Sequence, residues 1–192
     1  MKLHNSQQPK ANKVMGIDCS TNSLAFGVIE DGELVRFGEI FFEGKDLYER
    51  LVDARLKISE LVSQNYFDAD FIAFEKAVLV RSVTTVIKLA YMFGIVMSLL
   101  LERRAKVVEV TPIEWQSGIG NKNLNKAEKA AIKLEHPGKS TAWFQAYSRE
   151  MRKQRTLTFV NTLHGQAPIT SDNVGDACGI AWYAYNKMTE RK

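Results

Sequence analysis

At 192 residues, with 45% hydrophobic and 25% charged residues, the chain is long enough for one domain with a substantial core. Its two cysteines, Cys19 and Cys178, lie on apolar segments without metal-ligand spacing, which argues against a disulfide scaffold or zinc site and fits a reducing cytosol. The formal net charge of +4 modestly favours a polyanionic partner.

Residues 1–12, MKLHNSQQPKAN, are polar and lack a signal-peptide apolar stretch; they predict a short disordered lead-in to a single domain over 13–192. Lys13 to Asp18 is a short apolar strand ending in the polar cluster CSTNS, and a second strand runs from Leu24 to Glu30. Asp31-Gly32 is a hairpin signal, after which Glu33 to Phe42 supplies a third antiparallel strand. Leu47, Leu51, Ala54, Ile58, Leu61 and Val62 recur at helical spacing and predict an amphipathic helix over 45–64.

FIAFE, ending at Glu75, is apolar throughout, as a central parallel strand covered on both faces should be. A helix over 82–103 contains the longest apolar run, Leu89 to Leu101, which is too short to span a bilayer and reads as a buried helix, so no membrane partner is expected. KVVEV then forms a fifth strand, terminated by Pro112. The remainder predicts helices over 113–117, 126–134 and 141–164, and a last one starting near Ser171 or Asp172 and running through Tyr185. The order predicts an α/β fold with a five-stranded mixed sheet, three antiparallel strands followed by two parallel ones, flanked by helices.

Asp18, Glu75, Asp172 and Asp176 each stand at the end of, or within, an apolar segment. An ionised acid in such a place is costly unless something pairs with it, and a divalent cation is the cheapest common partner for several converging acids. The crossover to the fourth strand should be right-handed, and if it places that strand beside the first, Asp18 and Glu75 become neighbours about 5 Å apart. A third acid, Asp176, would then come from the last helix. The net basic excess is confined to 120–165, where Lys122, Lys126, Lys129, Lys133, Lys139, Arg149, Arg152, Lys153 and Arg155 stand against only three acids, while the rest of the chain is slightly acidic. That confinement suggests a surface following a phosphate backbone. The four leading lysines would form one stripe if helical throughout; the competing reading is a solvated helix face. Trp115, Trp143 and Trp182 read as core or interface, and His4, His136 and His164 carry no metal-ligand spacing.

The blocks GIDCSTNSLAFGVI, FIAFE and DNVGDACGIA, in this order and spacing over roughly 13–187, resemble the RuvC family of Holliday-junction resolvases within the RNase H-like superfamily. The resemblance implies a homodimeric, cytoplasmic endonuclease, bacterial or phage-encoded, that cuts four-way DNA junctions by paired symmetric nicks. It further implies two Mg²⁺ or Mn²⁺ ions bridged by Asp18, one bound by Glu75 and the other by Asp176. The family commonly carries an acid or histidine three residues before the final Asp, and this chain has Asn173 there. Three readings stay open: Asp172 substitutes from a position rotated by about 100°, the second metal site is weakened, or Asn173 is an inactivating replacement.

The resemblance also implies an aliphatic junction wedge at Val78, Leu79 and Val80, in place of an aromatic one. Dimerisation would run through Val83, Ile87, Ala90, Tyr91 and Gly94. Alternatives are a nuclease for other branched DNA or RNA–DNA hybrids, a non-catalytic junction-binding module, or an actin-like ATPase or sugar kinase domain, whose phosphate loop GIDCSTNS also resembles.

Overall fold

A computed structural model describes residues 13–76 and 82–189; the lead-in and the wedge positions Val78, Leu79 and Val80 lie outside them. The elements are β1 (Lys13–Cys19), β2 (Ser23–Glu30), β3 (Glu33–Phe41), α1 (Leu47–Ser63), β4 (Phe71–Glu75), α2 (Val83–Leu100), β5 (Lys106–Val110), α3 (Pro112–Gly118), α4 (Lys126–Glu135), α5 (Thr141–Val160) and α6 (Asp172–Thr189). The sheet order is β3-β2-β1-β4-β5, antiparallel on the β3–β2–β1 side and parallel from β1 through β5. This is the expected mixed sheet.

Local chemistry explains where the elements begin and turn. Asp31 and Gly32 both have positive φ, the geometry of a two-residue turn whose twist matches the flanking strands. Asp46 caps α1, and α3 and α4 open with reciprocal capping boxes, Thr111 with Glu114 and Asn125 with Glu128.

Side-chain alternation divides the core. Met15 and Ile17 of β1, with Ile72 and Phe74 of β4, face α1 and the second half of α2. Val14 of β1, with Phe71 and Ala73 of β4, faces the layer containing α3 and α6. Because strand side chains alternate with period two, Gly16, Asp18 and Glu75 share that second face.

The approach of α6 to the sheet depends on two glycines. Gly16 and Gly27 face each other across β1 and β2. A methyl group on Gly16 would collide with Ala177 O and Ala181 N, and one on Gly27 would lie 2.6 Å from Cys178 Sγ. Only hydrogen at both positions lets the helix backbone lie directly on the strands.

The structure corrects three expectations. α5 ends at Val160, not His164, because Asn161 caps it and then exchanges hydrogen bonds with the backbone N–H and C=O of Ile169. α6 continues to Thr189. α2 is not a buried helix: Met92, Val96, Met97 and Leu100 are buried, but its first two turns are exposed, with Val83 at 74% exposure. Its 18 residues are also long and apolar enough, by length and composition alone, to cross a membrane. The apolar character is two-sided, and the intramolecular core uses only the carboxyl-terminal half.

Candidate metal centre

The register brings the strand acids together. Ile17 pairs with Phe74 in the parallel β1–β4 ladder, so the next positions, Asp18 and Glu75, end adjacent strands side by side on the α6 face. Asp176 lies in the second turn of α6, immediately before Ala177, whose carbonyl lies over Gly16. Close approach of helix to sheet therefore delivers the third acid to the first two.

The three carboxylates lie near enough to feel one another's charge. Burial, then the charges of Glu75 and Glu39, push the Asp18 carboxyl up to about 6. Burial, then Asp18, Glu75 and Asp172, push Asp176 up to about 7, partly offset by Lys153. Among the described residues neither carboxylate has an ion pair or hydrogen bond of its own. Glu75 is oriented: the indole N–H of Trp115, a buried residue of α3, donates to its Oε2 at 2.8 Å.

The other two α6 candidates are held from opposite sides. Lys153 of α5 donates to Asp172 Oδ2, so this lysine, expected at the DNA surface, is tied to the rim of the acid cluster. Asn173 donates through Nδ2 to Glu39 Oε1 at 2.8 Å. Successive helix residues point about 100° apart, which is why neighbours on one turn reach different strands and helices. Asp172 lies four residues before Asp176 and shares its face.

Glu39 was not found by the sequence reading. It pairs with Ala25, which pairs with Asp18, so one row across the sheet reads Glu39, Ala25, Asp18, Glu75. Its burial would raise its pKa, but hydrogen bonds from Asn173, Ser171 and Ser23 outweigh that and hold the carboxyl below its ordinary value.

Among the described residues the cluster offers partly buried carboxylates and no sulfur or imidazole ligand, a hard, oxygen-only donor set whose chemistry fits Mg²⁺ or Mn²⁺. Among the described residues no three acids, histidines or cysteines are set closely enough to hold a metal ion as they stand. Asp18, Glu75 and Asp176 are the residues that would hold a cation, with Asp172 and Asn173 at the rim.

The basic segment divides in two. Lys126, Lys129 and Lys133 lie on α4, but Lys122 precedes the helix, so the stripe of four is interrupted. Lys129, Lys133, Arg149 and Arg152 line an open cleft of about 520 Å³ between α4 and α5. Lys122, Lys139 and Arg149 are exposed, whereas Arg155 is paired with Glu128 and Arg152 donates to Gln116. Trp143 stacks on Tyr147 beside His136, while Trp182 packs edge-on against Phe159.

A mixed five-stranded sheet carrying acids at the ends of adjacent central strands, completed by an acid from a carboxyl-terminal helix, defines an RNase H-like nuclease fold. The family model "Crossover junction endodeoxyribonuclease RuvC" matches residues 14–134, and the chain belongs to that family. A RuvC of Thermomicrobium roseum is 30% identical over 112 residues, covering 56% of this chain and 68% of that protein. Two solved structures of Thermus thermophilus RuvC share the fold. One, in complex with Holliday junction substrate, has a TM-score of 0.65 at 15% identity, covering 93% of this chain and 96% of the other. The second has a TM-score of 0.61 at 16% identity, covering 91% and 95%. The family match stops before α6, so Asp176 rests on the geometry described above.

Proposed function

We propose that this chain is a divalent-metal-dependent endonuclease that resolves four-way DNA junctions by paired symmetric nicks, working as a homodimer in a bacterial cytoplasm, its own or a phage host's. The observation that carries the reading is the convergence of Asp18, Glu75 and Asp176 on one face, with no ion pair to any of the three among the described residues, in a chain of this family.

Two bound Mg²⁺ or Mn²⁺ ions would supply an activated water and stabilise the charge on the leaving oxygen. The chain's own groups do the rest. Asp18, beside Glu75 at the end of the adjacent strand and near Asp176, would be shared by both ions. Glu75 is kept from rotating away by the Trp115 indole. Asp176 is carried at fixed depth by the glycine-lined contact of α6 with β1. The exposed lysines and Arg149 bordering the α4–α5 cleft would follow the phosphate backbone of a junction arm.

Homodimerisation is supported by the apolar surface that α1 and α2 leave uncovered. Val83, Ile87 and Tyr91 recur every fourth residue along α2, and Tyr48, Val52 and Leu56 do so along α1; all six are exposed. Ile87, Tyr91 and Tyr48 also line one groove between these helices. Ile87→Glu is expected to convert the protein to a monomer by light scattering, and to change paired nicking of a four-way junction into slow single nicks. A dimer that survives this substitution removes α2 from the interface.

Incubation with four-way, three-way and linear duplexes and an RNA–DNA hybrid, in Mg²⁺ or Mn²⁺, tests the function. Symmetric, chelator-sensitive nicks confined to the four-way junction are the expected result. Binding without cutting in both metals would instead make the chain a non-catalytic junction-binding module.

A further inference from the structure

Glu39 is a partly buried carboxylate near the acid cluster whose oxygens accept from the neutral donors Ser171, Asn173 and Ser23. It sits on β3, two strand spacings from Asp18 along the same row of the sheet, about 10 Å. Its two oxygens are divided between two residues of one helix start. Oε2 accepts from Ser171 Oγ at 2.7 Å, and Oε1 accepts from Asn173 Nδ2 at 2.8 Å.

The hydroxyl of Ser171 has one proton, and it points at Glu39. Its lone pairs are therefore left to accept from the backbone N–H of Val174, the bond that caps α6. Asn173 is polarised in the same way: an amide has a donor end and an acceptor end, and with Nδ2 on Glu39 its Oδ1 faces elsewhere. Both devices act on the turn that carries Asp172 and leads directly to Asp176. The carboxylate also lies close to the amino-terminal, electropositive end of that helix.

We propose that Glu39 is a positioning residue of the metal centre: through Ser171 and Asn173 it anchors the first turn of α6 to β3, and so sets where Asp176, one turn further on, stands beside Asp18. The inference rests on the metal-site reading above and deepens it. Glu39 itself bonds no cation; its charge acts through Ser171 and Asn173, and electrostatically on Asp18.

The arrangement is testable because its hydrogen-bond polarity can be inverted. In Glu39→Gln, one of the two acceptor oxygens becomes an NH₂, so Ser171 and Asn173 can no longer both donate to the side chain and one arm of the anchor is lost. In Asn173→Asp, two carboxylates face each other and the anchor is broken. In the double variant, which combines Glu39→Gln with Asn173→Asp, the introduced amide donates to the introduced carboxylate and the anchor returns with reversed polarity.

Titration of Mn²⁺ into metal-free protein, read by calorimetry, is the primary measurement, alongside the Mg²⁺ concentration dependence of junction nicking. Glu39→Gln should bind Mn²⁺ about tenfold more weakly, the low end of what losing an outer-shell partner of a metal ligand costs. The double variant should return to wild-type affinity or better. Melting temperature serves as the control: a purely structural anchor would change it and leave Mn²⁺ affinity alone.

Wild-type Mn²⁺ affinity in Glu39→Gln, or a double variant no better than the worse single one, overturns the proposal. Asp18→Asn separates the two levels of the argument. If that variant abolishes Mn²⁺ binding while Glu39→Gln does not weaken it, only the role of Glu39 fails. If Asp18→Asn binds Mn²⁺ as well as wild type, the metal reading falls and takes this proposal with it.

Discussion

Asp18→Asn is expected to lower Mg²⁺-dependent junction nicking by about 10³-fold or more, equivalent to roughly 4 kcal/mol of transition-state stabilisation, while making the metal-free protein more stable at pH 8. The two effects have one cause. Burial and the neighbouring Glu75 and Glu39 charges raise the Asp18 carboxyl to about 6 in the folded protein, from an ordinary 3.8. Asp176 is raised further, to about 7. A group whose folded pKa is raised binds its proton more tightly in the folded state. Its stabilising contribution is complete below the unfolded pKa and is lost as pH rises through the folded one.

Metal-free wild type should therefore lose stability as pH rises from about 4 to about 7, then level off. Asp18→Asn removes one of the two charges responsible. Its advantage should be absent near pH 4 and reach on the order of 2 kcal/mol at pH 8. Melting curves at pH 4, 6 and 8, with and without Mg²⁺, check this directly. Mg²⁺ should raise the melting temperature of wild type at pH 8 and leave the variant nearly unmoved. A variant less stable than wild type at pH 8 would show that Asp18 has a cationic or hydrogen-bonding partner in the fold, contrary to the geometry.

Gly16→Ala should be the most damaging conservative substitution in the core. The added methyl meets backbone atoms, Ala177 O and Ala181 N, with Ala181 Cα at 2.9 Å, so no side-chain rotation relieves it. Either α6 lifts from β1 or the strand bends. Overpacking typically costs about 1–3 kcal/mol, and rigid backbone neighbours place this case at or above about 3 kcal/mol. For a chain of this size that corresponds to a melting temperature lower by about 10 °C.

The same displacement moves Asp176 away from Asp18. Since misplacement by about 1 Å can cost about 10²-fold in rate, nicking should fall by at least that factor even at temperatures where the variant is folded. Gly165→Ala is the matched control, because nothing lies within 4 Å of its added carbon. Unlike Asp18→Asn, Gly16→Ala should destabilise at every pH. Near-wild-type stability would mean that α6 is not seated by this contact.

Much of the centre was legible before any coordinates. Asp18, Glu75 and Asp176 stood out because an acid that ends an apolar strand, or interrupts the apolar face of a helix, conflicts with burial unless something compensates it. That β4 lies beside β1 was a condition of the sequence reading, and the sheet order meets it. The lysine-rich segment was visible as charge, but its division was not. Whether Lys153 and Arg155 face DNA or pair with Asp172 and Glu128 depends on where α5 packs, which periodicity does not reveal.

α2 shows the opposite failure. Its apolar sequence was read as burial within the chain, whereas half of that surface remains open. Hydrophobicity reports that a face must be covered and says nothing about whether the same molecule covers it.

Glu39 marks the boundary most sharply. The Asp31-Gly32 turn pairs Glu30 with Glu33 and Ile29 with Leu34, and simple continuation would set Glu39 opposite Leu24, whose side chain faces α1 and α2. An irregularity between Val28 and Ile29 shifts the register by one, so Glu39 pairs with Ala25 and turns to the α6 face. Residue type and period by themselves determined the order of elements, the acids at their ends and the chemistry those acids can perform. The tertiary structure decided which side chains share a face and who holds them, because a one-residue bulge or a helix seated on two glycines is settled by packing between segments distant in the chain.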